Sequence, residues 1–392
     1  MQNIFDKEVN RRNTGSMKWE VSEGELPMWV ADMDFETAPE ITEAIIDRAR
    51  HGVFGYTLIQ DEWYQAYQDW WESRHGFKIE KNWLLFCTGV VPAISSIVRK
   101  MTTVGENVVV MTPVYNIFFN SILNNGRNVL ESRLQYEKGV YQIDFEDLEE
   151  KLANPQTSLL ILCNPHNPIG KIWDQEALAT IGELCLKHHV LVLSDEIHCD
   201  LTKPGKEYIP FASVSDACKY NSITCVAPTK AFNLAGIQTA AVIIPDATIR
   251  HKVNRGLNTD EVAEPNVFAA IAPVAAFEYG SAWLNKLRNY LWKNRMYAED
   301  YIENKIPNVS VVKAEATYLL WIDCRQILGN SSELCRFLRK TTGLYLSDGA
   351  EYRNGEGFLR MNLACQREKV IDGMERFKYG IKKYEEFINQ RC

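Results

Sequence analysis

Lys230 is the side chain of this sequence best suited to nucleophilic chemistry. It stands in CVAPTKAFNLAG, shortly after an apolar run and among small residues. A lysine at the end of a buried strand keeps its stem in the core, and desolvation lowers the pKa of its amine, which makes it a candidate for Schiff-base formation. From this segment alone, a solvated lysine in a loop is an equally good interpretation.

Asp195 stands at the end of a second apolar run, in VLVLSDEIHCD. Burying a carboxylate there is costly unless a cation lies beside it. A protonated ring nitrogen of a bound cofactor would be such a cation. The alternative is that Ser194 or Asp195 caps a following helical turn, and the segment alone does not separate the two.

Three further segments follow apolar runs in the same way. Asn164–Gly170 (NPHNPIG) is typical of a tight turn in any protein. Thr88–Ala93 (TGVVPA) predicts the first turn of a helix, whose free backbone N–H groups would bind a phosphate. Tyr115 follows another run. Each signal is weak alone, but with Asp195 and Lys230 they indicate one site, because ligands of parallel sheets bind at the carboxyl ends of the strands.

A metal site is not expected. His198, Cys199 and Asp200 are neighbours in the sequence, so their side chains would diverge around a strand or turn.

The elements that must position these residues alternate through the middle of the chain. Short, continuously apolar runs are typical of strands covered on both faces, and their alternation with helical patterns such as Asp174–His189 predicts an α/β fold with a mostly parallel sheet flanked by helices. The predicted strands are Trp83–Cys87, Asn107–Met111, Leu159–Cys163, Val190–Ser194, Ser222–Val226 and Thr239–Ile244.

After about residue 280 the pattern becomes α+β. We predict helices at Ser281–Lys305, Ser332–Thr341 and Arg367–Asn389, and strands at Tyr318–Ile322 and Gly357–Leu363. The expected domains are therefore a large one over residues 46–280, and a smaller α+β one formed by residues 1–45 together with 281–392.

Composition limits the class of protein. The chain has 392 residues, of which 46% are hydrophobic and 24% charged, and its net charge is −8. The acidic balance and the lack of a long basic run argue against nucleic acid as a partner, and no uninterrupted apolar stretch is long enough to span a membrane. The N-terminus has no apolar signal region, and the ten cysteines form no C-x-x-C pair. We expect a soluble, cytoplasmic protein.

The sequence resembles the fold-type I aminotransferase superfamily, whose members use pyridoxal 5'-phosphate (PLP), along its whole length. Within that superfamily it resembles the MalY/PatB/cystalysin subgroup of cysteine-S-conjugate β-lyases. The resemblance is carried by PMWVADMDF, FGYT, TGVVPA, NPHNPIGKIW, LSDEIHCDL, TKAFNLAGIQ and GFLRMN. The first and fifth of these strings are the most specific to the subgroup.

The resemblance implies a role for each site residue. Lys230 would hold the PLP aldehyde and act as the catalytic base, and Asp195 would pair with the pyridine nitrogen. Tyr115 would stack on the ring and is a candidate for proton transfer. The other implied cofactor-binding residues are Asn167 at the ring hydroxyl, Val90 and Val91 through backbone amides at the phosphate, Thr229, His198, and Tyr56 from a second subunit. Arg360 would bind the substrate α-carboxylate in a bidentate pair, with Asn167, Val30 and Ala31 beside the substrate.

Three positions depart from the superfamily pattern. Ala227 stands where a phosphate-binding serine is common, and Thr229 is the candidate to compensate. Gln238 replaces a frequent arginine, and His198 replaces a frequent tyrosine. His198 is interpreted either as a neighbour of the ring hydroxyl or, preferably, as a polar residue behind it. The string LSDGAEYRNGEGFLRMN also departs from the subgroup pattern near the substrate entrance, which leaves substrate preference open.

The resemblance implies a homodimeric C–S β-lyase. It would act on small amino-acid substrates, L-cysteine, L-cystathionine and related S-conjugates, and release pyruvate, ammonia and a thiol or hydrogen sulfide. An aminotransferase of the same fold and a PLP-binding regulatory protein with residual lyase activity stay open as alternatives.

Overall fold

A seven-stranded sheet forms the centre of the computed structural model, which describes residues 3–327 and 330–390. In spatial order its strands are β2 (Leu84–Cys87), β10 (Ala240–Ile243), β9 (Ser222–Val226), β8 (Leu191–Asp195), β7 (Thr157–Cys163), β3 (Asn107–Thr112) and β4 (Asn128–Arg133). Only β10 pairs antiparallel with its neighbours in this sheet, as far as the described residues extend. The predicted mostly parallel α/β sheet is confirmed.

The central strands are apolar throughout because both faces of the sheet are covered. In β3, Val108 and Val110 face one hydrophobic cluster, whereas Val109 and Met111 face another. The edge strand β4 was not predicted, because its sequence NVLESR is mostly polar and only one of its residues is buried. At this edge of the sheet the strand is only partly covered, so it lacks the continuous apolar run that identified the others.

Helices cover both faces of this sheet. They are α1 (Pro39–Arg50), α2 (Asp61–His75), α3 (Val90–Met101), α4 (Ile117–Leu123), α5 (Phe145–Leu152), α6 (Gln175–Lys187), α7 (Asp216–Tyr220), α8 (Ala247–Thr259) and α9 (Val267–Tyr279). The predicted helix Asp174–His189 is α6, and the Asp174 carboxylate accepts the Ala177 N–H as its N-cap.

A second sheet is built from the C-terminal part of the chain. It is antiparallel, in the order β11 (Ser310–Val311), β12 (Leu319–Asp323), β15 (Phe358–Asn362) and β14 (Ser347–Asp348). Packed with it are α10 (Ser281–Lys305), α11 (Ser331–Thr342) and α12 (Arg367–Asn389), close to their predicted bounds. The N-terminal β1 (Leu26–Pro27) pairs with β13 (Leu344–Tyr345), and β5 (Gln135–Glu137) forms a hairpin with β6 (Val140–Gln142).

The division into residues 46–280 and residues 1–45 with 281–392 stays a proposal. It is supported by the seven strands of the large sheet, which all lie between residues 84 and 243, and by the four of the second sheet, which all follow residue 309. Residues 1–2, 328–329 and 391–392 lie outside the described residues.

The NPHNPIG turn is packed against the chain that leads into the second sheet. The Gly170 carbonyl accepts the N–H groups of Glu315 and Ala316 at 2.8 and 3.0 Å. Gly170 has a φ of +67°, and a Cβ there would lie 2.6 Å from the Cβ of Ala314. Glycine is therefore required on two counts, backbone conformation and space.

Within residues 3–327 and 330–390, no single helix has the length and apolar character of a membrane span. Taken together, α9 and α10 have the length and apolar composition of a membrane span, but the two helices meet at an angle of 78°.

Candidate active site

The strand ends of the large sheet surround a cavity of about 260 Å³. Loops after β2, β3, β7, β8 and β9 contribute to its walls. Of the residues singled out in the sequence, Ala31, Val90, Val91, Tyr115, Asn167, Asp195, His198, Thr229 and Lys230 line this cavity, together with Gln238. The structure thus brings these sequence-predicted residues to one place, while their individual roles stay proposals.

One end of the cavity is the N-terminus of α3. Val90 and Val91 are its first two residues, so their N–H groups have no partner within the helix. The N-cap residue Gly89 has no side chain to satisfy them. Free N–H groups and the helix dipole favour an anion at this end, and Thr229 lines the same cavity.

Asp195 is a buried carboxylate without a cationic partner. It ends β8 with 4% of its surface exposed, and one oxygen accepts the Ile197 N–H at 3.1 Å. Burial raises the pKa of Asp195 to about 7, although this hydrogen bond and Lys230 oppose the shift. In the described part of the chain, no Lys, Arg or His nitrogen lies within ion-pair distance of it. A cationic ring nitrogen in the cavity would fit this carboxylate.

Lys230 supplies the amine of the site. Its Nζ donates to the Ala31 carbonyl at 2.7 Å. Burial lowers the pKa of Lys230 to about 8, Arg360 lowers it further, and Asp32 and Asp195 act in the opposite direction. A substantial fraction of the amine is therefore neutral near physiological pH, as a nucleophile or a general base must be.

Tyr115 packs against the cavity through a loop after β3. Its ring contacts Phe118 edge-on, with the centroids 5.6 Å apart. Burial raises the pKa of Tyr115 to about 12, so the phenol stays protonated and neutral. A flat, uncharged ring in this position suits the face of a heterocyclic cofactor.

Arg360 approaches the cavity from β15 of the second sheet. Its Nη1 donates to Asn167 Oδ1 at 3.3 Å, and its Nη2 donates to the Trp29 carbonyl at 2.9 Å and to Ser347 Oγ at 3.4 Å. The guanidinium is buried, and its Nε has no hydrogen-bond partner among the described residues. A buried N–H without a partner marks a place for an anionic ligand, and a carboxylate would satisfy it.

The contacts that orient Arg360 were missed by the sequence reasoning. Trp29 acts through its backbone carbonyl, which any residue type would supply, and Ser347 meets Arg360 because β14 pairs with β15. Tyr352 lies under the guanidinium, with its ring centroid 5.0 Å away. An aromatic residue in the unusual string LSDGAEYRNGEGFLRMN was the only available signal for this contact.

Of the three predicted residues His198, Val30 and Tyr56, the first lines the cavity and the other two do not. His198 lines the cavity, and burial lowers its pKa to about 3, so the ring is neutral. Val30 lies beside the cavity wall, where its carbonyl accepts Asn362 Nδ2 at 2.5 Å. Tyr56 is fully exposed in the single chain and does not line the cavity.

Cys199 and Asp200 do meet a histidine, but not His198. They lie with His75 in a cluster whose ligand atoms are within 4.8 Å of one another. The Asp200 carboxylate already accepts Arg74 Nε at 2.9 Å, so a cation occupies the position that a metal would need. Asp200 is satisfied by this ion pair and by Trp70 Nε1 at 3.1 Å.

The chain is similar over most of its length to a known family and to curated proteins. Residues 26–377 match the family model for aminotransferase class I and II. The chain is 43% identical over 385 residues to cystathionine beta-lyase PatB of Bacillus subtilis, which covers 96% of this chain and 99% of that protein.

Two solved structures share the fold over nearly the whole chain. Cystalysin from Treponema denticola, which contains a pyridoxal 5'-phosphate cofactor, has a TM-score of 0.94 and 31% identity and covers 98% of this chain and 100% of its own. The PLP-bound C-S lyase from Staphylococcus hominis has a TM-score of 0.91 and 31% identity, and the match covers 97% of this chain and 98% of that one.

The uncompensated charge of Asp195 predicts a pH-dependent effect on stability. Because its pKa is raised in the folded protein, the unfolded state binds fewer protons between about pH 4 and 7, and the protein freed of cofactor loses stability as pH rises through that range. Asp195→Asn should therefore stabilise the cofactor-free protein by about 1–3 kcal/mol at pH 8, and by much less at pH 4. Urea unfolding at both values measures the difference, and equal stability of the two proteins at pH 8 would contradict it.

Proposed function

This chain belongs to the aminotransferase class I and II family, and from that membership we propose that it is a PLP-dependent C–S β-lyase. The proposal rests on one observation above the others. A half-buried amine (Lys230) and a buried carboxylate without an ion-pair partner (Asp195) line the same cavity. A buried guanidinium with a free N–H (Arg360) donates to Asn167 in the wall of that cavity. The sequence similarity to cystathionine beta-lyase PatB then selects the lyase reaction among those that this set supports.

The cavity residues fit PLP group by group. Lys230 would hold the aldehyde carbon, and Asp195 would keep a proton on the ring nitrogen. The N–H groups of Val90 and Val91 would bind the phosphate. The Thr229 hydroxyl would add the contact that a serine at position 227 would make and that Ala227 cannot. When bound, PLP supplies the electron sink that stabilises negative charge developing at the substrate Cα.

The substrate is held and deprotonated by the chain's own residues. Arg360 binds its α-carboxylate, and the neutral Lys230 amine takes the Cα proton. The C–S bond at Cβ then breaks with its electron pair on sulfur, and the departing sulfur takes up a proton as a thiol or hydrogen sulfide. The remaining three carbons take up water and leave as pyruvate and ammonia. Tyr115 and the neutral His198 lie close enough to the cavity to orient these groups without adding charge.

The substrate class proposed here comprises L-cysteine, L-cystathionine and related S-conjugates. An aminotransferase of the same fold uses the same lysine, aspartate and arginine, so the site residues alone do not separate the two reactions. Asn167 and the Trp29 carbonyl orient the Arg360 guanidinium towards a substrate carboxylate. A regulatory protein that binds PLP without turning over a substrate would not need such a group.

We also propose a homodimer and a cytoplasmic location. Tyr56 lies with Val53, Phe54 and Leu58 on one exposed loop, and these apolar side chains are between 59% and 103% exposed in the single chain. A two-fold dimer would cover such a patch and would bring Tyr56 to the partner's site. The described cysteines are free thiols, which suits a reducing compartment.

The function is tested by the need for a second substrate. Purified holoenzyme given L-cystathionine without any keto acid should release pyruvate steadily, because β-elimination regenerates the enzyme in each cycle. Pyruvate is measured by coupled oxidation of a nicotinamide cofactor. Turnover that begins only after a keto acid is added would instead identify a transaminase.

Arg360→Lys tests the substrate class. Lysine keeps the charge but loses the planar fork, so kcat/KM for cystathionine should fall about 100-fold, while the visible absorbance of the lysine-bound cofactor persists. Arg325→Lys is the matched control: Arg325 also forks onto a carboxylate in the second sheet, but that carboxylate belongs to Asp323, which does not line the cavity. Normal cleavage by Arg360→Lys would show that the carboxylate is bound elsewhere, and loss of the cofactor absorbance would show that Arg360 holds the cofactor instead.

A further inference from the structure

Residues 28–35, which lie within the PMWVADMDF string, connect the two key cations of the site. The Ala31 carbonyl accepts Lys230 Nζ at 2.7 Å, and the Trp29 carbonyl accepts Arg360 Nη2 at 2.9 Å. Two carbonyls only two residues apart therefore contact the amine from the large sheet and the guanidinium from the second sheet. A shift of this 28–35 segment would change the positions of both groups together.

The backbone of the 28–35 segment is fixed to the two elements that carry those cations. Asn233, three residues after Lys230, accepts the Met33 N–H and donates to the carbonyls of Met33 and Phe35, all at 3.0 Å. Asn362, two residues after Arg360, donates to the carbonyls of Val30 and Asp32 at 2.5 and 2.6 Å. The segment thus joins the lysine loop to the arginine strand.

An ion network fills the other side of the segment. Arg11 donates to both oxygens of Asp32, at 3.0 and 2.6 Å, and to Asp34 at 2.8 Å. The ammonium of Lys18 lies 3.1 Å from Asp34 and 3.7 Å from Asp32. Lys18 and Asp34 are only 1% and 2% exposed, whereas Asp32 and Arg11 keep about a fifth of their side-chain surface in solvent.

The two aspartates serve different ends. Asp34 is buried, and although burial would raise its pKa, Lys18, Trp19 and Arg11 hold it below the ordinary value. Removing Asp34 would leave the buried Lys18 ammonium with only its longer contact to Asp32, at 3.7 Å, which destabilises the fold. Asp32 is partly solvated, so its loss leaves less uncompensated charge in the core. It directly follows Ala31, whose carbonyl accepts both Lys230 Nζ at 2.7 Å and the Tyr318 hydroxyl at 3.0 Å.

We infer that Asp32 is a positioning residue: its paired contacts with Arg11 hold residues 28–35 so that the carbonyls of Ala31 and Trp29 align Lys230 with Arg360. The inference rests on the proposed function of Lys230 and Arg360. Asp32 does not line the cavity and acts through Ala31.

The charge of Asp32 also reaches the amine. The charged groups that face Lys230 are Asp32, Asp195 and Arg360, and the neighbouring His198 is neutral. Asp32 and Asp195 raise the pKa of Lys230, and Arg360 lowers it. Loss of Asp32 would therefore favour the deprotonated nitrogen.

The test compares Asp32→Ala and Asp32→Asn with the wild-type holoenzyme. In Asp32→Ala, kcat/KM for cystathionine should fall about 10- to 50-fold, and the pH midpoint of the visible absorbance of the lysine-bound cofactor should move down by about half a unit or more. Asp32→Asn keeps an oxygen for Arg11 but loses the charge. It should recover most of kcat/KM while its absorbance midpoint stays lowered.

Glu36→Gln is the matched control. It breaks the exposed Lys7–Glu36 ion pair, one residue beyond the 28–35 segment, where both side chains are more than half exposed. Both its kcat/KM and its absorbance midpoint should equal those of the wild type.

The outcomes separate this inference from the proposed function. An Asp32→Ala enzyme with an unchanged midpoint, whatever its kcat/KM, would overturn the inference alone, because the loss would not pass through Lys230. If Asp32→Ala does not fold, the midpoint of Asp32→Asn decides in the same way. A wild-type protein without visible absorbance would contradict the cofactor assignment, and the inference with it.

Discussion

The rest of this structure depends on buried charges around one cavity that have no ion-pair partner among the described residues. Asp195 ends β8 with its carboxylate in a low-dielectric environment, and burial raises its pKa to about 7. Such a group destabilises the fold unless a ligand cation completes it. The α3 N-terminus has free N–H groups and Arg360 has a free Nε, so both would bind an anion rather than a cation. Together they would fit a cationic group at Asp195 and anionic groups at the other two places.

The architecture serves to bring these groups from distant parts of the chain to one cavity. In the large sheet, Asp195 and Lys230 lie at the ends of the neighbouring strands β8 and β9, which is the usual place for ligands in α/β folds. The second sheet delivers the guanidinium from β15. Two features connect the two sheets near the cavity. The Gly170 carbonyl accepts backbone N–H groups from the chain just before β12, and the 28–35 segment contacts both Lys230 and Arg360.

Much of this was predictable from the sequence, and the exceptions have physical reasons. Strands buried on both faces are apolar along their length, so β8 and β9 and the polar residues after them were found. The edge strand β4 is mostly polar, with a single buried residue, and has no such pattern. Arg360 could be placed only through the resemblance, and its contact with Trp29 uses a backbone carbonyl that no residue type encodes. Arg11 and Asp32 are 21 positions apart and meet only in the folded chain, so their spacing in the sequence does not predict the pair.

The central claim is that Lys230 is the residue that carries the cofactor, and its covalent attachment tests this most directly. Reduction of the holoenzyme with borohydride fixes the carbon–nitrogen bond between lysine and PLP, and proteolysis followed by mass spectrometry locates the modified residue. The label is expected on the peptide that contains TKAFNLAGIQ, at Lys230 and in a stoichiometry close to one per chain. A label on any other lysine, or none on a protein that still releases pyruvate, would contradict the account.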